Sequence, residues 1–186
     1  LDKAAMHLLT DYRAGTLALG PSAALNWDNG NFTGASVSSS ILSTPTGSTV
    51  NITNSANNHQ LGLLTVNNAG TWVNQTNGNS FQLNNGSKFN NLTGGTFDFQ
   101  ADGQIGTFGG GGLITNAGTW QKTAGVGNAN FATGVTLDNA GGTVSASSGA
   151  IQLNTGGNHS GTLNLTGNVQ FNGGTHNFAS GSVING

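Results

Sequence analysis

The side chains able to do chemistry are few. The chain has six carboxylates (Asp2, Asp11, Asp28, Asp98, Asp102 and Asp138) and no Glu; its cations are Lys3, Arg13, Lys88 and Lys122. It has four histidines (His7, His59, His159 and His176) and no cysteine. Clustered acids on one exposed face would serve glycoside cleavage or calcium binding. Asp98 and Asp102 stand four apart across an expected turn, and Asp138 would lie one or two coils on. The only arginine, Arg13, sits far away near the N-terminus, and isolated aspartates are more often turn formers than acids of a cluster.

The histidines follow no His-Glu-x-x-His spacing, and without cysteine no thiolate metal site can form. His159 and His176 would stand about one coil apart, where a chance metal pair competes with plain surface or corner histidines, the commoner use. Trp72, Phe97 and Trp120 have the chemistry of a sugar-stacking strip, but each follows a turn Thr and alternates with Asn or Gln, which favours an internal stack. A sugar-active or sugar-binding reading needs Asp98, Asp102 and Asp138 together in an exposed groove lined by Trp. Nucleophile elbows and phosphate-cradling loops are absent from the sequence, and the single Thr file with bulky neighbours is not an ice-binding Thr-x-Thr array. No catalytic residue, cofactor or metal site is expected.

These residues take their positions from a repeat. Val66-Asn-Asn-Ala-Gly-Thr-Trp72 recurs as Phe89-Asn-Asn-Leu-Thr-Gly-Gly-Thr-Phe97, Ile114-Thr-Asn-Ala-Gly-Thr-Trp120 and Leu137-Asp-Asn-Ala-Gly-Gly-Thr-Val144. The leading apolar residues are 23, 25 and 23 residues apart, a period of stacked repeats. In columns, Val66, Phe89, Ile114 and Leu137 form one file and Asn68, Asn91, Asn116 and Asn139 a second. Thr71, Thr96, Thr119 and Thr143 form a third, and Trp72, Phe97, Trp120 and Val144 a fourth. Insertions fall between the Asn and Thr files, as turns tolerate and strands do not.

Such a period is too short for a strand, a crossover helix and two loops; at roughly 3.3 Å per residue it suits three short strands and three turns. Coils would stack about 4.8 Å apart, letting asparagine amides bond from coil to coil. The expected fold is therefore all-β: a single-stranded parallel β-helix, or solenoid, of about seven coils, on the order of 35 Å long.

Composition agrees. The 186 residues include 32 Gly, only 5% are charged, and the formal charge is −2. Without a basic patch, nucleic-acid binding is not expected, and no apolar run approaches the roughly 20 residues that span a bilayer. Disorder, which this composition would also allow, is countered by alternation at a fixed period.

Residues 1–13 differ from the rest: Leu1, Ala5, Leu8, Leu9 and Tyr12 make one helical stripe, with Asp2 and Arg13 matching the helix dipole and Gly15 placed to terminate it. This predicts a short N-terminal helical cap, or a helix that docks on a neighbour. Strand-like segments follow from Gly15, and the domain reading is a cap or docking segment over 1–24 and a solenoid over 25–186. Gly109 to Gly112 reads as a bulge or loop. The tail stops at Asn185-Gly186 without a capping sequence, as expected of a piece of a longer chain or an end continued by another molecule.

The words Phe89-Asn-Asn-Leu-Thr-Gly-Gly-Thr-Phe-Asp-Phe-Gln-Ala-Asp-Gly103, Ile114-Thr-Asn-Ala-Gly-Thr-Trp-Gln-Lys122 and Gly173-Gly-Thr-His-Asn-Phe-Ala-Ser-Gly181 resemble the Asn/Gly/Thr-rich repeats of large bacterial surface proteins of the filamentous-haemagglutinin and autotransporter-passenger type. The likeness covers residues 25–186. It implies a right-handed parallel β-helix, secreted or at the cell surface, in an adhesin stalk or matrix protein, and it supplies no catalytic residue. The expected function is a rigid structural spacer or self-assembling fibre subunit. Its expected partners are further copies end to end, other surface proteins or a glycan. The alternative from another class is the carbohydrate-active or carbohydrate-binding β-helix protein.

Overall fold

The computed structural model describes residues 14–54, 56, 58–165 and 168–186. The cap expected over residues 1–13 lies outside them, with Asp2, Lys3, His7, Asp11 and Arg13. The described residues form short strands of three to seven residues and no α-helix. They wind into a parallel β-solenoid of about seven coils.

The first coil consists of Gly15–Ala18, Ala24–Trp27 and Gly30–Thr33, and each strand pairs in parallel with the strand three later. Three sheets result. The first has six strands and ends at Val135–Asp138; the second has eight and ends at Val183–Asn185; the third has seven and ends at Val169–Phe171. Gly15 to Ala18 pair residue for residue with Ser40 to Ser43, so among the described residues the winding already includes Gly15–Ala18.

All four predicted files are present. Val66, Phe89, Ile114 and Leu137 are consecutive ladder partners, continued downward by Leu42 and Leu17. Thr71, Thr96, Thr119 and Thr143 form another row, as do Trp72, Phe97, Trp120 and Val144. Alternation within four-residue strands turns the apolar members inward. Inside, Phe97 and Trp120 stack with centroids 4.1 Å apart and planes 3° apart, and Phe89 meets Trp120 edge-on at 5.7 Å.

The glycine before each Thr of the repeat has a steric cause. A Cβ on Gly70, Gly95, Gly118 or Gly161 would lie 2.5, 2.4, 2.2 or 2.1 Å from a carbonyl oxygen of the preceding coil. At this corner backbone rests on backbone, so only glycine fits. The predicted glycine-rich loop occupies 107–111, where Gly110 and Gly111 take positive φ, before the next strand starts at Gly112.

Candidate functional site

Among the described residues the most extended polar array is the corner between the first and second sheets. There Asn68 donates through Nδ2 to Asn91 Oδ1, Asn91 to Asn116 Oδ1 and Asn116 to Asn139 Oδ1, each at 2.8 Å. The same Nδ2 atoms also donate to the carbonyls of Thr96, Thr119 and Thr143 at 3.1, 2.9 and 3.1 Å, and Asn139 reaches Thr162 at 3.0 Å. Below the file, Thr44 Oγ1 donates to Asn68 Oδ1 at 2.7 Å. All four asparagines are buried. A carboxamide accepts from the coil beneath, donates to the coil above and has one proton left for the backbone, so the arrangement repeats without leaving a polar atom stranded. Chemically this is a staple that locks coil to coil.

The aspartates singled out in sequence are not gathered into a groove. Asp98 lies on a second-sheet strand, where Thr123 Oγ1 donates to both its oxygens at 2.9 and 2.8 Å. Asp102 lies in the turn after that strand and holds Lys122, and Asp138 ends a first-sheet strand, accepting from Asn158 N at 2.8 Å. Trp72 and Trp120 are fully buried. The constellation required by the sugar-active reading is therefore not assembled, because alternation turns the tryptophans inward while the aspartates serve different sheets and turns.

Lys122 is the residue that sequence reasoning passed over. Its side chain is wholly buried, and Nζ donates to Asp102 Oδ1 at 2.9 Å and to the carbonyls of Ala101, Ala124 and Gly125. Gly127 N also donates to Asp102 Oδ1, at 3.0 Å. The ammonium thus closes the 123–127 turn, from which Val126 projects into solvent. Its hydrogen bond is the main cause that holds the Asp102 carboxyl below the usual carboxylate range, against partial burial. The signal was present in the alternation Trp120 in, Gln121 out, Lys122 in. Lys122 occupies the file of Phe99 and Ala146, and the small Ala146 and Gly149 leave room for its stem.

Beyond Asp138 the first sheet breaks. Gly157–His159 and His176–Phe178 form a separate two-stranded sheet, joined to the strand before them by one bridge, Asn139 with His159. His159 therefore takes the next rung of the Asn file, buried, with Phe178 above it. His159 Nε2 and His176 Nδ1 are 2.9 Å apart, and His176 Nε2 is 3.0 Å from the Gly173 carbonyl. The two histidines thus bond to each other. Burial first, and His176 second, hold His159 below the ordinary imidazole value, while Asp138 opposes them. Alongside, Asp138, Asn158, Asn177, Ser160 and Phe178 line a groove of about 400 Å³. Among the described residues no group of three or more metal-ligating side chains occurs.

Comparison of the chain with protein-family models, with curated proteins and with solved structures finds no match.

Proposed function

We propose that the chain is a non-catalytic structural element: a rigid spacer, stalk or fibre subunit of an extracellular protein of a bacterial surface. The observation that carries this reading is the buried Asn corner, in which the interior amides of four successive coils bond only to one another, to Thr44 and to backbone. Side chains so engaged are unavailable to a substrate and well suited to transmitting load. The Asn/Gly/Thr wording of the repeats, which resembles bacterial surface stalks, supports the location.

End-to-end association belongs to the same reading. Val183–Asn185 is the outermost strand of the second sheet, and Val183 and Ile184 are exposed on it. A further parallel strand can add to this sheet, from a following coil of the same polypeptide or from another copy, and a head-to-tail contact between copies grows filaments. Sedimentation across a concentration series, with negative-stain microscopy, should show rods that lengthen with concentration. Monodisperse monomers at high concentration would rule out the fibre version. An antibody against the chain should label intact cells of the source organism, and labelling only after permeabilisation would overturn the surface location.

A further inference from the structure

We propose that the His159–His176 pair is an acid-labile latch: as pH falls from about 7 to about 5, protonation parts the two rings and loosens the coil that holds His176–Phe178 from the coil that holds Gly157–His159.

The hydrogen bonds fix the protons. The Gly173 carbonyl can only accept, so His176 Nε2 carries a hydrogen and donates to it. In the neutral ring Nδ1 is then a lone pair, which makes His159 Nε2–H the donor across 2.9 Å. His159 Nδ1 is left as a bare lone pair, buried and without a hydrogen-bond partner.

An added proton has no good place to go. On His176 Nδ1 it would set two N–H groups head to head at 2.9 Å. On His159 Nδ1 it would create a cation in a buried position with no acceptor for the new N–H. The titratable groups facing His159 are Asp138 from the coil below, which favours the cation, and His176 from the coil above, which disfavours it; burial adds to His176 and the two outweigh Asp138. The remaining ring neighbours, Phe171 and Phe178, carry no charge.

The latch sits beyond the break in the first sheet, while the second and third sheets continue past it. A single bridge crosses the break in the first sheet, and the Asp138 carboxylate, not a backbone carbonyl, takes the Asn158 N–H. Gly157 replaces an apolar side chain in the file of Leu137, since a Cβ there would lie 2.1 Å from the Leu137 carbonyl. Asn139 Nδ2 carries the amide file as far as the Thr162 carbonyl, and between the two coils beyond it the imidazole pair stands where the file would have an amide-to-amide bond.

Nitrogen-detected NMR of the histidine rings at pH 7.5, with amide hydrogen exchange at pH 7.5 and 5.0 corrected for intrinsic rates, tests this on the whole chain. Both rings should be Nε2–H tautomers at the higher pH. Exchange protection in 176–185 should fall at pH 5.0 at least tenfold more than in 65–122. His159→Asn, which places the side chain of Asn139 on the next rung, should abolish the excess loss; His176→Phe gives an independent reading if the first variant does not fold. Equal loss in both regions, or a variant that keeps the excess, overturns the latch. So does a His159 ring that titrates near 6.5 in the unaltered chain with its coils still protected.

Discussion

The middle of the rod and its last two coils are wound alike but held differently. From Val66 to Val144 the corner file reads Asn at every rung and the core holds Trp72, Phe81, Phe89, Phe97, Phe99, Trp120 and Phe131, all fully buried. Beyond Asp138 the same corner file reads His159 and Phe178, and the apolar file reads Gly157 and His176. A carboxamide carries an acceptor and two donors on one planar head, so each rung presents to the next what it received from the last. An imidazole spans one such link and leaves a ring nitrogen over. A solenoid can therefore continue its backbone ladder past the point where its side-chain ladder stops, and stability need not follow winding.

The contrast is broken most forcefully from the middle. Trp120→Ala should cost about 3–5 kcal/mol of global stability in urea melts, because the stack on Phe97 and the edge contact with Phe89 go together. Trp120→Phe should cost much less: the indole Nε1–H of Trp120 is buried without a partner, and its removal relieves an unmatched donor. Were the two variants equally damaging, the aromatic column would not be what holds the middle together.

Next comes the staple. Asn91→Ala deprives Asn116 Oδ1 of its donor and both Asn68 Nδ2 and the Thr119 carbonyl of a partner. At about 1–3 kcal/mol for a stranded buried group, the loss should exceed that of an ordinary surface change severalfold. Chemical denaturation of the variant checks it.

Acid should separate the two regions in order. Folding holds His159 below the ordinary imidazole value, so its contribution is fully present above about 6.5 and is lost as pH falls below it. Folding holds Asp102 below the ordinary carboxyl value, so its contribution is present above about 3.9 and is lost as pH falls below it. The terminal coils should loosen first and the Lys122 turn only in stronger acid. The second step should be modest, since 35% of the Asp102 side chain remains in water. Residue-resolved exchange across a pH series reads both; a single acid transition shared by all coils would erase the distinction.

Much of this was legible because the period is exact enough to align files by eye: one register places Val66 over Phe89 and Asn68 over Asn91 at once, and the side-chain ladder follows from chemistry. The weak end was not. Gly157-Asn-His159 keeps too few letters of the repeat for its rung to be read, and a buried lysine breaks the usual expectation that Lys is solvated. Lys122 is inward because strand alternation leaves it no choice, and its cage comes from carbonyls, which no sequence letter reports.

The smallest expected effect lies on the outer face of the strand that carries the staple. Asn90 and Asn91 are neighbours on one strand, and each bonds to an asparagine of the coil below, at 2.9 Å for Asn90 with Asn67 and 2.8 Å for Asn68 with Asn91. Residue type and distance are alike, but Asn90 faces outward and donates one bond, whereas Asn91 faces inward, accepts from Asn68 and donates to Asn116 and to the Thr119 carbonyl. Outside, water replaces the lost partner, so Asn90→Ala should change stability by no more than about 0.5 kcal/mol. Thermal melts of Asn90→Ala and Asn91→Ala side by side make the comparison. If the outer variant falls as far as the inner one, the amide ladder stabilises by contact alone, and the terminal coils would owe their weakness to the lost core packing at Gly157 and not to the imidazole that ends the file.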